Sequence, residues 1–193
     1  MTHIYHNTQH LLEPSVITVG SFDGVHLGHQ SLLQQMNHYA HQNNYISVVV
    51  TFNPHPQEVL QNKPDFFLIN SFEQKITLFE KLGIDTVLVI PFTQELSQTA
   101  PYDFFETYIF SKINVNAVFM GPNHHFGKQR EGNAETLTQL CKEKEIELIV
   151  AQEFKVNGCK VRSTFIRNYL EQNDWRRAEK MMGHDVYLKG TPN

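Results

Sequence analysis

The chain has 193 residues, of which 40% are hydrophobic and 19% charged, with a formal net charge of −4; this fits one soluble α/β domain with at most a small appendage. The acidic balance argues against a dedicated nucleic-acid binder, and no apolar run approaches the length needed to span a membrane. Two cysteines, Cys141 and Cys159, are too few for a disulfide framework, so reduced thiols and a cytoplasmic setting are expected.

The first six residues lack a charged segment followed by an apolar one, so no signal peptide is expected. His3, His6 and His10 are read as part of a loose N-terminus. Five apolar runs of strand length then follow, at residues 16–20, 46–52, 86–90, 116–120 and 147–151. Helical spacing separates them. Residues 28–41 carry Leu32, Leu33, Met36 and Tyr39 or Ala40 on one face, and residues 72–82 end at Gly83, a helix-stopping residue. Residues 101–112 open on Pro101, which is favoured in a first turn, and residues 133–145 align Leu137, Leu140 and Cys141. Residues 57–70 show no clear period and read as an insertion or mobile loop, of a length that is often functional in compact domains. From Ser163 two short helices are expected, the first with Ile166, Tyr169 and Leu170 inward, the second over 175–182 with Asp174 as N-cap and Gly183 as stop. The alternation predicts a Rossmann-like five-stranded parallel sheet, with helices on both faces and a C-terminal helical tail. Ligands in such sheets bind outside the carboxyl ends of the strands.

The most informative stretch leaves the first of these strands: Gly20-Ser21-Phe22-Asp23-Gly24-Val25-His26-Leu27-Gly28-His29. Glycines allow a tight turn and close approach of backbone to ligand. The following helix offers free N–H groups and the positive end of its dipole, a ready anion site. His26 and His29, three apart, share one face of its first turn, a pairing that suits phosphate better than metal. Three further strings lie after strands or at a helix start. Thr51-Phe52-Asn53-Pro54-His55-Pro56 is stiffened by two prolines that would fix Asn53 and His55. Residues 121–132 place Asn123, His124, His125, Phe126, Gly127, Lys128 and Arg130 at the fourth strand's exit, suited to anionic and ring groups; a polar surface pair is the plain alternative for His124 and His125. Arg162, Ser163, Thr164 and Arg167 open the tail helix, where hydroxyls can donate to phosphate or, more simply, cap the helix.

The ten-residue string resembles the nucleotidylyltransferase signature, and its form is most similar to the adenylyltransferase module of prokaryotic bifunctional FAD synthetases. The other three strings are similar to that family's Thr-Phe-x-Pro-His-Pro, Gly-x-Asn/Asp-Phe-x-Phe-Gly-Lys-x-Arg-x-Gly and Ile-Ser-Ser-Thr-x-x-Arg motifs. The resemblance runs from residue 16 to about residue 190. Two positions depart from the pattern: His124 stands where the family has an aromatic, and Arg162 where it has a serine.

The resemblance implies ATP and FMN as substrates, FAD and pyrophosphate as products, and Mg²⁺ held mainly through ATP phosphates rather than by protein ligands. It assigns His26, His29, Asn123 and Arg167 to catalysis. It assigns Gly20, Ser21, Phe22, Asp23, Gly24, Arg162, Ser163 and Thr164 to ATP and its phosphates, and Asn53, Pro54, His55, Phe126, Gly127 and Arg130 to the flavin. Asp23 is equally open to ordering its loop or touching the metal. Residues 1–185 are expected to form the adenylyltransferase domain. Residues 186–193 sit where a riboflavin kinase domain begins in the bifunctional members, and since that domain's motif does not appear, no riboflavin phosphorylation is expected. A sister nucleotidylyltransferase acting on another phosphorylated acceptor, or a non-catalytic nucleotide-binding regulator, are the rival readings. Protein partners and oligomeric state are not legible.

Overall fold

Val48, Val49 and Val50 are consecutive and all fully buried, which requires a strand covered on both faces. The computed structural model, which describes residues 2–6, 10–60, 66–122 and 124–185, provides that cover. Six strands, β1 (His3–His6), β2 (Leu11–Val19), β3 (Ile46–Phe52), β4 (Thr86–Ile90), β5 (Ile113–Met120) and β6 (Glu147–Val150), form one sheet in the order β1-β4-β3-β2-β5-β6. Every pairing is parallel.

The expected five-stranded sheet is therefore six-stranded, and the expected loose N-terminus is wrong for His3 and His6. Strand β1 pairs with β4 from His3↔Thr86 to His6↔Val89. It gives no apolar period because it lies at the sheet edge and is mostly exposed. Backbone bonding holds it instead, together with a 2.6 Å bond from Thr2 Oγ1 to the Ile84 carbonyl.

The helices are α1 (Leu27–Asn43), α2 (Pro56–Leu60), α3 (Phe72–Lys81), α4 (Gln94–Ser97), α5 (Pro101–Phe104), α6 (Ala134–Glu143), α7 (Ser163–Glu171) and α8 (Trp175–Met182). A short hairpin, β7 (Lys155–Val156) with β8 (Cys159–Lys160), precedes α7. Helix α5 runs into a π-helical turn, Phe105–Phe110, so the single α-helix expected over 101–112 widens partway. Part of the expected loop 57–70 is helical as α2. Asp174 caps α8 by accepting the Arg177 N–H, and Gly183 ends it at φ 69°, as expected. Cys141 is buried and Cys159 exposed, both as free thiols.

Alternation along the strands divides the core. Ile17, Val19, Val48 and Val50 face the π-helical turn and α6, packing with Phe105, Ile109, Leu137 and Leu140. Val16, Val49 and Val87 face α1 and α3, packing with Leu33, Met36 and Phe79. A third cluster joins Ile69 and Val161 to Ile166, Leu170, Ala178 and Met182 of α7 and α8. Chain connections leave β2 in one direction towards β3 and reach β5 on its other side, so the sheet's switch point lies where β2 and β5 end.

Candidate active site

The loop leaving β2 holds three departures from ordinary backbone within four residues: Phe22 at φ 49°, Gly24 at φ 84° and Val25 at φ 35°. A β-branched residue there is an outlier that the surrounding structure must enforce. Gly20 is needed for space rather than for its φ, since a Cβ would stand 3.0 Å from the Phe22 ring. That ring packs edge-on against Phe79 at 5.7 Å and His29 at 5.2 Å.

His26 is the N-cap of α1, and its Nδ1 accepts the His29 backbone N–H at 3.2 Å. Acceptance at Nδ1 leaves the proton of a neutral His26 on Nε2. The two imidazoles stack at 3.6 Å and 13°. A Cβ at Gly28 would come within 3.3 Å of the His26 ring, so the glycine of His-x-Gly-His makes room for the stack. Burial pushes His26 down to about 4, with His184 adding to the effect. Burial, then His26, His124 and Lys75, holds His29 well below the ordinary histidine range. Both rings are thus neutral N–H donors at neutral pH, and His29 Nδ1 is buried without a hydrogen-bond partner among the described residues.

Asp23 is 4% exposed. Its carboxylate accepts the Ile69 N–H at 3.1 Å and pairs with the Arg167 guanidinium. Burial pushes the carboxyl up, opposed by Arg167 and by the N–H groups of Ile69 and Asn70. Arg167 also donates to the Phe67 carbonyl at 3.0 Å and lies 4.5 Å over the Phe66 ring. Ser163 Oγ donates to the Asp23 carbonyl at 2.9 Å. Gln30 spans from the Val25 carbonyl (2.8 Å) to the Met182 carbonyl (2.7 Å), and His184 Nε2 lies 2.9 Å from the Gly24 carbonyl. The loop and the tail helices are therefore one assembly. Of the two roles open to Asp23, the ordering of its loop is the one these contacts display. Among the described residues no group of three or more His, Cys, Asp or Glu could hold a metal ion.

Arg162 is the N-cap of α7 but makes no side-chain capping bond. Its guanidinium lies 6.0 Å from the Phe165 ring, and it is exposed, as is Thr164.

After β3 the Asn53–Pro54 peptide is cis. His55 donates its backbone N–H to Glu58 at 2.8 Å, accepts the Gln57 N–H on Nδ1 at 3.1 Å, and stacks on Phe66 at 5.0 Å. Burial, then Arg167 and Lys75, pushes it down to about 4. A small open cleft is lined by Asp23, Asn53, His55, Glu58, Asn70 and Lys75 among others. Lys75 belongs to none of the four sequence strings. Its one signal in the sequence is its place four residues before Phe79, on the inward stripe of an amphipathic helix, where lysine is rare.

The string after β5 is only partly visible, since Asn123 and the Arg130 side chain lie outside the described residues, as do residues 186–193. The His124 ring lies 6.0 Å from Phe126 and is close enough to His29 to help depress it. Phe126 and Gly132 exchange backbone bonds at 3.0 and 2.9 Å. Phe126 is buried against Phe105 at 5.0 Å. Gly127 has φ 71°, and a Cβ there would stand 2.8 Å from Pro101. His125 is exposed.

The strand exits thus bring together His26, His29 and His124; Asp23, Ser163 and Arg167; and Asn53, His55 and Lys75. Phe126 belongs more to the core than to an open wall. The geometry can offer neutral donors to an anion at the start of α1, beside a small polar cleft.

Residues 8–165 match the family model described as FAD synthetase. The bifunctional riboflavin kinase/FMN adenylyltransferase of Buchnera aphidicola subsp. Schizaphis graminum is 30% identical over 186 residues, 96% of this chain and 60% of that protein. The FAD synthetase of Listeria monocytogenes is 27% identical, over 91% of this chain and 71% of that protein. The chain spans about 60% of the length of the bifunctional relatives. The crystal structure of a macrolide-efflux protein from Streptococcus pneumoniae superposes with TM-score 0.85 at 26% identity, covering 96% of this chain and 72% of that one. No helix among the described residues is long and apolar enough to cross a membrane.

Proposed function

The chain belongs to the FAD synthetase family, and on that premise we propose that it is an FMN adenylyltransferase of nucleotidylyltransferase fold, converting ATP and FMN to FAD and pyrophosphate in the cytoplasm. The observation that carries this reading is the stacked, neutral His26–His29 pair at the start of α1. An oxygen of the FMN phosphate attacks the α-phosphorus of ATP, and the bond from that phosphorus to the β-phosphate bridge breaks. Such transfers need positioning and charge stabilisation more than covalent help. His26, with its proton on Nε2, and His29 donate to phosphate oxygens as charge shifts in the transition state. Their neutrality lets them enter a site already crowded with cations without mutual repulsion.

Ser163, Thr164, Arg162 and Arg167 form the basic, hydroxyl-bearing face that meets the leaving pyrophosphate, and Asn123 is assigned to the nucleotide. Asn53 and His55 line the cleft proposed for the flavin, Pro54 lies between them in the chain, and Phe126, Gly127 and Arg130 are assigned to the flavin by the family's motif. Asp23 has its carboxylate engaged by Arg167 and Ile69, and Mg²⁺ would be held mainly through the ATP phosphates rather than by protein ligands. When bound, it supplies positive charge shared between phosphates.

The test is incubation with FMN, ATP and Mg²⁺, scoring FAD and pyrophosphate, against riboflavin, nicotinamide mononucleotide and phosphopantetheine as acceptors. Product from another acceptor alone points to a sister activity, and binding of ATP without turnover points to a regulator.

A further inference from the structure

Lys75 presents an unusual balance. It sits in the first turn of α3, near the positive end of the helix, and is 7% exposed. Burial and a helix N-terminus both disfavour an ammonium. Yet its three hydrogen bonds go to neutral oxygens: the Ser21 carbonyl at 3.2 Å, Thr51 Oγ1 at 3.2 Å and the Phe52 carbonyl at 3.4 Å. Among the described residues it forms no ion pair with a carboxylate. Ser21 belongs to the loop that carries His26 and His29, while Thr51 and Phe52 open the loop that carries Asn53 and His55. One buried charge therefore joins the exits of β2 and β3.

We propose that Lys75 is a positioning residue for adenylyl transfer, its ammonium holding the histidine-bearing loop and the Asn53–His55 loop at a fixed separation so that two phosphates meet in line. This rests on the reading of the chain as an FMN adenylyltransferase. Joining two loops by an ammonium has a consequence that an apolar strut lacks: the link is lost when the proton is lost. The groups facing Lys75 are Asp23 and Glu58, which favour its charged form, and His29 and His55, which its charge depresses. Arg167 acts on Asp23 and His55 from α7. Burial outweighs the two carboxylates and brings Lys75 down to about 8. Both imidazoles are already neutral at that pH, so Lys75 is the group that changes charge there.

The experiment compares the wild type with Lys75→Met and Lys75→Arg across pH 6.5–9.5, following FAD formation, with circular dichroism as the check on folding. Lys75→Met keeps the stem and removes the charge. It is expected to lose about 10²-fold in kcat, the scale of a misplacement of about 1 Å at the reacting atoms. In the wild type kcat falls as pH rises through about 8. Lys75→Arg, whose guanidinium does not titrate, shows no such fall, whatever its absolute rate. A folded Lys75→Met with wild-type kcat overturns the proposal, as does the same alkaline fall in Lys75→Arg. Should Lys75→Met not fold, the two pH profiles decide alone. A wild type that makes no FAD defeats the functional reading instead. The proposal is then judged by calorimetric Mg·ATP binding, expected to weaken above about pH 8 in wild type and not in Lys75→Arg, and equal weakening overturns it.

Discussion

Asp23 and Arg167 lie 144 residues apart and form an ion pair that joins the first loop of the site to the tail helix. The carboxylate is 4% exposed and the guanidinium side chain 16%, so little water screens the pair. Removing one member of such a pair typically costs about 3–5 kcal/mol, because the other charge stays buried alone. Asp23→Ala should therefore destabilise by about 3 kcal/mol in urea unfolding. Adding Arg167→Met to Asp23→Ala should recover part of the loss. Additive single effects would show that the two charges are not coupled.

His29→Ala removes one of the two neutral imidazoles proposed to donate to the phosphates. Loss of a single strong donor of this kind costs roughly 10²–10³ in rate. The variant should fold, since the His29 backbone N–H that caps on His26 is retained. Turnover of FMN to FAD at the wild-type rate would remove His29 from the mechanism.

His26 and His55 both fall from an ordinary value of 6.5 to about 4 in the folded chain. The unfolded chain binds these protons first, so stability is present above about pH 6.5 and is lost as pH falls towards 4. Every tenfold weakening of proton binding in the folded chain is worth about 1.4 kcal/mol. Asp23, whose carboxyl burial pushes up, acts in the opposite sense at the acid end. Urea midpoints at pH 7.0, 5.5 and 4.5 should decline steadily, and His55→Phe should flatten the decline. A midpoint independent of pH would contradict the buried neutral histidines.

A Cβ at Gly132 would stand 2.6 Å from the Phe126 ring, closer than any real contact. Gly132→Ala must therefore displace that ring, which packs on Phe105. The expected result is a destabilisation of about 1–3 kcal/mol in urea unfolding, the cost of overpacking a core. An unchanged urea midpoint would show that the ring moves aside without cost.

Much of this architecture is legible in the sequence alone. Consecutive valines at residues 48–50 and the regular alternation of strands and helices lead directly to a parallel sheet. The ten residues at 20–29 lead to a histidine pair at a helix start. Strand β1 is not legible, because edge strands held by backbone pairing leave no apolar period. Helix α2 is hidden by prolines that suggest only a loop. The role of Asp23 cannot be read either, since its partners Ile69 and Arg167 are close only in space. Lys75 is hidden for a different reason. Two of its three acceptors are the Ser21 and Phe52 carbonyls, main-chain groups that carry no residue identity, and the third, Thr51 Oγ1, is close only in space.

The bonds from Gln30 to Met182, from Ser163 to Asp23 and from His184 to Gly24 have a consequence for how the chain comes into being. The histidine loop is synthesised before most of the sheet, and the residues that clasp it only after β6. A nascent chain can build its sheet from β1 to β6 and pack Phe22 on Phe79 while the bonds that tie this loop to Ser163, Met182 and His184 are still missing. A nick in the β7–β8 hairpin would cut the covalent link between the sheet and the helices that carry these three bonds.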